Sequence, residues 1–574
     1  MSKVKARVGG VWQTLSGAAP SVVPPGAPTG VSGDSPSAGK IHLSWTAPVN
    51  TGHGAITNYV LIATKVSDST TTSVTLGTVL SGDITGLVNG AAYTCTVKAR
   101  NSAGDSPASA PTGQITISAA TALKRLVVSA DNARYFAEVG TGNIPFLSGS
   151  HTWQNLVDSG QNNPPPVFDY NTYISFLVAR GHNFFRLWRW EQTRWSNETA
   201  DDQYWFSATP WKRTGPGNAL DGQAKFDLAQ LNQTYFDRLR ARVIQAGQNG
   251  IYVSVMLFNG WSVGTKGASF SFNQPWKGHP MNLNNNINSI NGDTDADGNG
   301  YESQDLSIPA ITALQETYVQ KVMDTVGDLP NVLYEISNES DSGNNAYLWQ
   351  YHFIDYVHTY EQATFGYKHP VGMTVEYPLG NLSHLYNSNA EWISFGGAIE
   401  NPTIATGSKV QVADTDHSCG SCNGSTTWAW VTITRGYYQL LMDVYDGAAY
   451  GCGASNIGNT LNDPASENTR FNMGKVRQYA ARIDLKLAVP STTISSTQFA
   501  LAKTGTANDQ YLVCNPTGGS FTVNLSATGG NLNVEWYNPA DRSITTSGTI
   551  AAGSASQSFS APFGSGEAVL FLYQ

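Results

Sequence analysis

Tyr318-Val319-Gln320-Lys321-Val322-Met323-Asp324-Thr325-Val326, then a Gly-Asp-Leu-Pro-Asn turn, then Val332-Leu333-Tyr334-Glu335-Ile336-Ser337-Asn338-Glu339 reads as a helix turning into a buried strand. Its first half puts Tyr318, Val319, Val322, Met323 and Val326 on one helical face. Its second half is a nearly unbroken apolar run, as expected of a strand buried on both faces. The unit recurs along the chain. Tyr170, Tyr173, Ile174, Leu177 and Val178, with Asp169 as N-cap and Gly181 as C-cap, precede Phe184-Phe185-Arg186-Leu187-Trp188. Phe236, Leu239 and Val243 precede Ile251 to Phe258, and Leu348, Tyr351 and Ile354 precede Val371 to Val375. Trp392-Ile393-Ser394, Val410-Gln411-Val412-Ala413 and Leu440-Leu441-Met442 supply further strands, and a last helix is expected around Met473 to Leu487. Helices alternating with buried strands imply a parallel sheet. About eight strands over roughly 370 residues predict a (β/α)8 TIM barrel with long loops over residues 119–490.

The flanks have a different grammar. Pro24-Pro25-Gly26-Ala27-Pro28 is a stiff, poorly pairing boundary that sets off an arm at residues 1–22. Residues 23–118 show short strands with period-two alternation, such as Ile41-His42-Leu43-Ser44-Trp45 and Thr94-Cys95-Thr96-Val97-Lys98-Ala99. Trp45 after an alternating strand, Asn58-Tyr59-Val60 opening the next, Leu87 before Tyr93, and a closing Arg100-Asn101-Ser102-Ala103-Gly104-Asp105-Ser106 resemble a fibronectin type III module. The resemblance implies a β-sandwich spacer or adhesion module without chemistry of its own. After Pro490, strands such as Tyr511-Leu512-Val513-Cys514 and Asn533-Val534-Glu535-Trp536-Tyr537 alternate with Gly-rich turns, which predicts a C-terminal antiparallel β-sandwich over residues 491–574.

Composition narrows the function. The 574 residues carry 33 Lys and Arg against 42 Asp and Glu, a net charge of −9 without a basic tract. That argues against nucleic-acid and anionic-membrane partners. No apolar run reaches the ~18 residues that span a bilayer. The 15 tryptophans suit a sugar-facing cleft. Five cysteines are too few for a disulfide scaffold. The N-terminal segment lacks an apolar stretch and cleavage site of the secretory kind. Extracellular-type modules in such a chain suggest either an exported protein whose signal has been trimmed or a virion-associated enzyme. Under the second view, Val4 to Leu15 resembles short β-segments of phage tail proteins.

In a barrel of this kind the reactive groups sit at the carboxyl ends of the strands. That rule selects Arg186 on the second strand, Asn338-Glu339 after the fourth, Glu376 after the fifth, Asp414-Thr415-Asp416-His417 after the seventh and Asp443-Val444-Tyr445-Asp446 after the eighth. Two carboxylates facing each other across a cleft are the requirement of glycoside hydrolysis, one as acid and one as nucleophile or base. The pattern resembles the large clan of retaining glycoside hydrolases whose acid/base Glu follows an Asn at the end of strand four and whose second strand carries an arginine. The resemblance implies Glu339 as acid/base, with Arg186 and Asn338 beside the reacting centre. Their nucleophile closes strand seven as a Glu, where this chain has Asp414, with Asp416 two residues on. An acid one methylene shorter widens the gap between carboxyls, and a wider gap favours inversion. Residues 120–574 resemble more closely a sparsely characterised group of bacterial glycoside hydrolases ending in a collagen-binding-like domain. Asn331 to Ser340, Asp414 to His417, Trp536-Tyr537-Asn538-Pro539 and Ala568-Val569-Leu570 carry that resemblance.

Substrate contacts are expected from Arg186, Asn338, His417, Glu376 and Tyr445, and from Trp188 and Trp261 as sugar platforms. Asp293, Asp295, Asp297 and Asn299, with Gly298 at the sixth position, have the spacing of a calcium loop that would staple structure rather than take part in the reaction. Gln304 replaces the acid at position twelve, with Asp305 one further on. No cofactor is expected in catalysis. Cys419, Cys422 and Cys452 leave open a disulfide or a zinc site, whereas Cys95 and Cys514 are expected as buried thiols. The leading function is therefore a glycoside hydrolase cleaving a poly- or oligosaccharide by two carboxylates, with retention of configuration expected. The alternative is a non-catalytic carbohydrate-binding or adhesion protein on a degenerate barrel.

Overall fold

The structure, a computed structural model, describes residues 5–8, 11–14, 21–37, 39–117, 123–195, 204–264, 275–378, 380–395, 402–415, 425–442, 445 and 464–574. Its contacts divide the chain into two units, Met1–Thr121 and Ala122–Gln574.

In the first unit, Thr29–Ser37, Lys40–Thr46 and Ser81–Ile84 form one antiparallel sheet. A second joins Thr71–Leu76, Asn58–Lys65, Ala92–Asn101 and Ile115–Thr116. Alternate residues point inward, so Ile41, Leu43, Trp45, Tyr59, Leu61, Cys95 and Val97 form one core between the sheets. Cys95 is a buried free thiol, as is Cys514 in the second unit.

The second unit is built on eight parallel strands: β1 (Ser148–His151), β2 (Phe184–Leu187), β3 (Tyr252–Asn259), β4 (Val332–Asn338), β5 (Val371–Thr374), β6 (Trp392–Ser394), β7 (Val410–Asp414) and β8 (Tyr438–Met442). Their ladder runs unbroken from β2 through β8 to β1. The remaining seam, between β1 and β2, is bridged by Asn183, whose backbone N–H donates to the Ser148 carbonyl while its Oδ1 accepts from the Ser148 N–H. A Cβ at Gly149 would stand 1.9 Å from the Phe184 carbonyl oxygen, so only glycine lets the seam draw this tight. The outer layer is α1 (Tyr170–Ala179), α2 (Gln233–Gln248), α3 (Pro309–Val326), α4 (Ala346–Phe365), α5 (Leu382–Asn387), α6 (Thr426–Arg435) and α7 (Pro464–Ala480). Asp169 caps α1 by accepting from the Thr172 N–H. The last helix differs from the sequence expectation. It starts at Pro464 and stops at Ala480, and Ile483 and Leu485 are buried in a turn whose carbonyls accept from Asn132.

Beyond α7, the strands Val489–Ser491, Ala500–Lys503, Gln510–Asn515, Ala568–Tyr573, Asn531–Tyr537 and Ile544–Ala551 make a six-stranded antiparallel sheet. One face covers its own core with Phe521, Val523 and Phe559 of a smaller sheet. The other face lies on the barrel, where Leu512, Cys514, Tyr537, Val569 and Phe571 pack with Trp430 of α6 and Tyr479 of α7. Arg482 and the Tyr479 hydroxyl both donate to Glu535 across this contact.

Candidate active site

The carboxyl ends of β2, β3, β4 and β7 carry the side chains that converge. Arg186, on β2, lies inside the barrel between two carboxylates. Its Nε donates to Glu335 Oε2 of β4 at 2.8 Å and its Nη2 to Asp414 Oδ2 of β7 at 2.5 Å. All three side chains have no exposed surface. Ser254 of β3 adds a hydroxyl 3.3 Å from Glu335 Oε2. Buried charges of this kind persist only when paired and hydrogen-bonded, and one guanidinium fork can serve two carboxylates at once. Asp414 closes β7, and the next residue, Thr415, accepts the Met442 N–H through its hydroxyl, tying the ends of β7 and β8 together.

Glu339 stands one residue beyond β4, only 3% exposed, with a left-handed backbone (φ 44°). A non-glycine residue in that region carries about 1–2 kcal/mol of strain, a pattern that clusters at functional sites. The indole Nε1–H of Trp261 donates to Glu339 Oε2. Trp261 is itself fixed by Asn259, the last residue of β3, whose Oδ1 accepts the Trp261 N–H at 3.0 Å. Asn259 is anchored in turn by Glu191, which accepts its backbone N–H, and by the Arg189 carbonyl, which accepts from its amide. A Cβ at Gly260 would lie 2.0 Å from the Glu339 carbonyl, so glycine is required for this loop to rest on the acid's backbone. Asn338 lies alongside Asn259 in the β3–β4 ladder and is buried.

The other expected residues fall into three groups. Glu376, after β5, is buried with its Oε1 2.7 Å from His384 Nδ1, and His384 stacks on Tyr347. The following Tyr377 donates its N–H to the Ser340 carbonyl, which brings this segment beside the β4 loop. Trp188 does not meet the expectation of a sugar platform. It is 1% exposed, with its ring against His151 and Trp190, whereas Trp261 is half-buried and tilted against Tyr377. Tyr445 is buried, with its ring packed against Phe168, Tyr173 and Phe176 beside α1. Trp190, Trp211 and Trp276 are also buried, so most of the tryptophan in these loops packs the loops themselves. Asp416, His417, Cys419, Cys422, Cys452, Asp443 and Asp446 lie outside the described residues.

The acidic loop joins β3 to α3. Single oxygens of Asp293, Asp295 and Asp297 lie within 4.8 Å of one another. Burial, with Asp297, Glu302 and Asp295 nearby, pushes the Asp293 carboxyl up, against the lowering pull of the Gly298 N–H. Among the described residues Asp293 Oδ1 has no hydrogen-bond partner. A crowded, mutually repelling set of hard oxygens fits a divalent cation such as calcium. Asn299 instead donates to Asp297 from both its backbone and its amide, and Gln304 turns away so that its Nε2 lies 3.5 Å from the Asn259 carbonyl.

Sequence reasoning passed over Glu335, Asn155 and His151. A carboxylate in the middle of the apolar run Val332 to Ile336, two steps of the strand period from Glu339, was the available signal for Glu335. Asn155 accepts the Trp188 N–H and donates to the Arg186 carbonyl, locking the end of β2. Nothing in its local sequence marks it.

The fibronectin type III family matches residues 26–115. A domain of unknown function (DUF6298) matches residues 183–376. The family described as "Putative collagen-binding domain of a collagenase" matches residues 491–572. The second match contains Arg186, Trp261, Glu335 and Glu339 and ends before Asp414. No curated protein sequence matches the chain. Among solved structures, a glycoside hydrolase family 5 protein from Bacteroides vulgatus ATCC 8482 superposes with a TM-score of 0.51 at 13% identity, covering 78% of this chain and 93% of that one. Another from the same organism, described as "a putative glycoside hydrolase", gives a TM-score of 0.51 at 12% identity, covering 90% of this chain and 95% of that one. At such identities the likeness is one of fold. The chain thus combines an N-terminal fibronectin type III domain, a nearly closed eight-stranded barrel like those of family 5 glycoside hydrolases, and a C-terminal collagen-binding-like β-sandwich.

Proposed function

We propose that the protein is a glycoside hydrolase cleaving a poly- or oligosaccharide, with Glu339 and Asp414 as its reacting carboxylates. One observation carries this reading. Two buried carboxylates stand at the carboxyl ends of β4 and β7, each held by its own cationic or N–H donor, Trp261 for Glu339 and Arg186 for Asp414. Glu339 protonates the glycosidic oxygen as the bond to the anomeric carbon breaks. Asp414 either attacks that carbon, giving a glycosyl-enzyme that water then hydrolyses, or takes the proton of a water that attacks directly. Arg186 keeps Asp414 ionised for either task. The half-buried Trp261 ring serves as a sugar platform while its N–H holds Glu339. Calcium in the Asp293–Asp295–Asp297 loop stabilises the β3–α3 connection and stays outside the reaction.

A hydrolysis screen over a broad glycan panel, with NMR of the first product anomer, tests this. Release of reducing ends from one glycan class supports the reading, and the anomer separates the two routes for Asp414. Binding to glycans without release from any of them would point instead to a carbohydrate-binding protein.

A further inference from the structure

We propose that Glu335 is a positioning residue, one that holds Arg186 in the orientation serving Asp414 and offsets part of the guanidinium's charge there. The inference rests on the reading of Asp414 as the second reacting carboxylate. Side chains two apart along a strand share a face, so Glu335 and Ser337 lie on one side of β4, with Glu335 deeper in the barrel than the Asn338-Glu339 end. Arg186 reaches it from β2 through Nε and reaches Asp414 on β7 through Nη2. The guanidinium plane is therefore fixed at both ends by carboxylates on different strands, and Ser254 of β3 fixes Glu335 in turn.

With no solvent at any of the three side chains, their charges act on one another largely unscreened. A lone Arg186 facing Asp414 would hold it as a closed ion pair, ionised but weakly basic. A second carboxylate on the same guanidinium shares that attraction and adds repulsion of its own. Both effects keep Asp414 reactive while leaving it charged. Among the described residues, the charged groups packed around Asp414 are Arg186 from β2 and, through it, Glu335 from β4. His151 of β1 reaches the same cluster by way of the Trp188 ring, which lies 5.5 Å from the Arg186 guanidinium.

The test is Glu335→Gln, which keeps an acceptor for Arg186 Nε and removes the charge. Asp414 then feels the undiluted guanidinium, so the acidic limb of kcat/KM moves to lower pH by about one unit or more. At the optimum kcat falls about 10-fold or more, with KM little changed. Glu335→Asp keeps the charge, so its acidic limb stays near that of the parent while kcat falls. A Glu335→Gln enzyme that folds and keeps the parent limb and kcat overturns the proposal. If Glu335→Gln does not fold, Glu335→Asp carries the test, and a parent-like kcat in that variant overturns it. Glu339→Gln and Asp414→Asn serve as controls. Loss of turnover in both, with Glu335→Gln unchanged, defeats the Glu335 proposal alone, whereas full turnover in both defeats the reading on which it rests.

Discussion

Trp261 donates its indole N–H to Glu339, and the donor comes from the loop after β3 while the acceptor comes from the end of β4. The acid is thus held from a neighbouring strand rather than by its own. Trp261→Phe keeps an aromatic face and loses only the N–H. A hydrogen bond to a charged group contributes about 1.5–3 kcal/mol, so kcat is expected to fall about 10- to 100-fold with a smaller change in KM. Steady-state kinetics on the substrate class found by the glycan screen check this; a parent-like kcat would mean that the indole N–H does not orient the acid.

Among the described residues, Arg186 is the cation that pairs with both Glu335 and Asp414. Arg186→Met leaves two buried carboxylates without their shared partner, and breaking a buried pair costs about 3–5 kcal/mol. Urea denaturation at neutral pH should show that loss, and lowering the pH should return part of it by protonating the carboxyls.

The Glu567 carboxyl links the C-terminal sheet to the start of α6, where it accepts from the Thr426 hydroxyl at 2.6 Å. Burial pushes it up to about 7, against the lowering pull of Thr426 and Thr427. A carboxyl raised in the folded state binds more protons there than when unfolded, so stability is full below the ordinary carboxylate range and falls as pH rises toward 7. Glu567→Gln should remove that fall and raise Tm at pH 8 by about 2–4 °C, with little effect at pH 4.5. Calorimetry at the two pH values decides it; equal shifts at both would contradict the assignment.

Calcium should stabilise the chain through the Asp293 loop. A site filled at 100 times its Kd adds about 3 kcal/mol to the folded state, so EGTA is expected to lower Tm and added calcium to restore it. Asp295→Asn should abolish the response. A Tm indifferent to calcium in the parent protein would remove this role.

The barrel was legible where strands are buried on both faces and made of Val, Ile, Leu and Phe, as in β3 and β4. It was not legible in β1, whose Ser148-Gly149-Ser150-His151 has no apolar residue. Ser148 and Ser150 bond to Gln439, His182 and Tyr173 from distant parts of the chain, and no local pattern reports such tertiary bonds. The strand-end places of Glu339 and Asp414 were legible, because both follow buried apolar runs. Glu335 left one local signal, a carboxylate inside an apolar run, but its partner did not show there, because Arg186 reaches it from another strand. Trp188 and Tyr445 show the converse: an aromatic near a strand end reads alike whether it faces a cleft or a packed core, and only packing tells the two apart.

If Glu339 delivers a proton to a glycosidic bond, its amide should stop turnover and leave glycan binding intact. The most direct measurement is single-substrate turnover by Glu339→Gln beside the parent protein, with glycan binding followed by calorimetry. A loss of kcat of about 100-fold or more with binding retained is expected. Parent-like turnover in Glu339→Gln would contradict it.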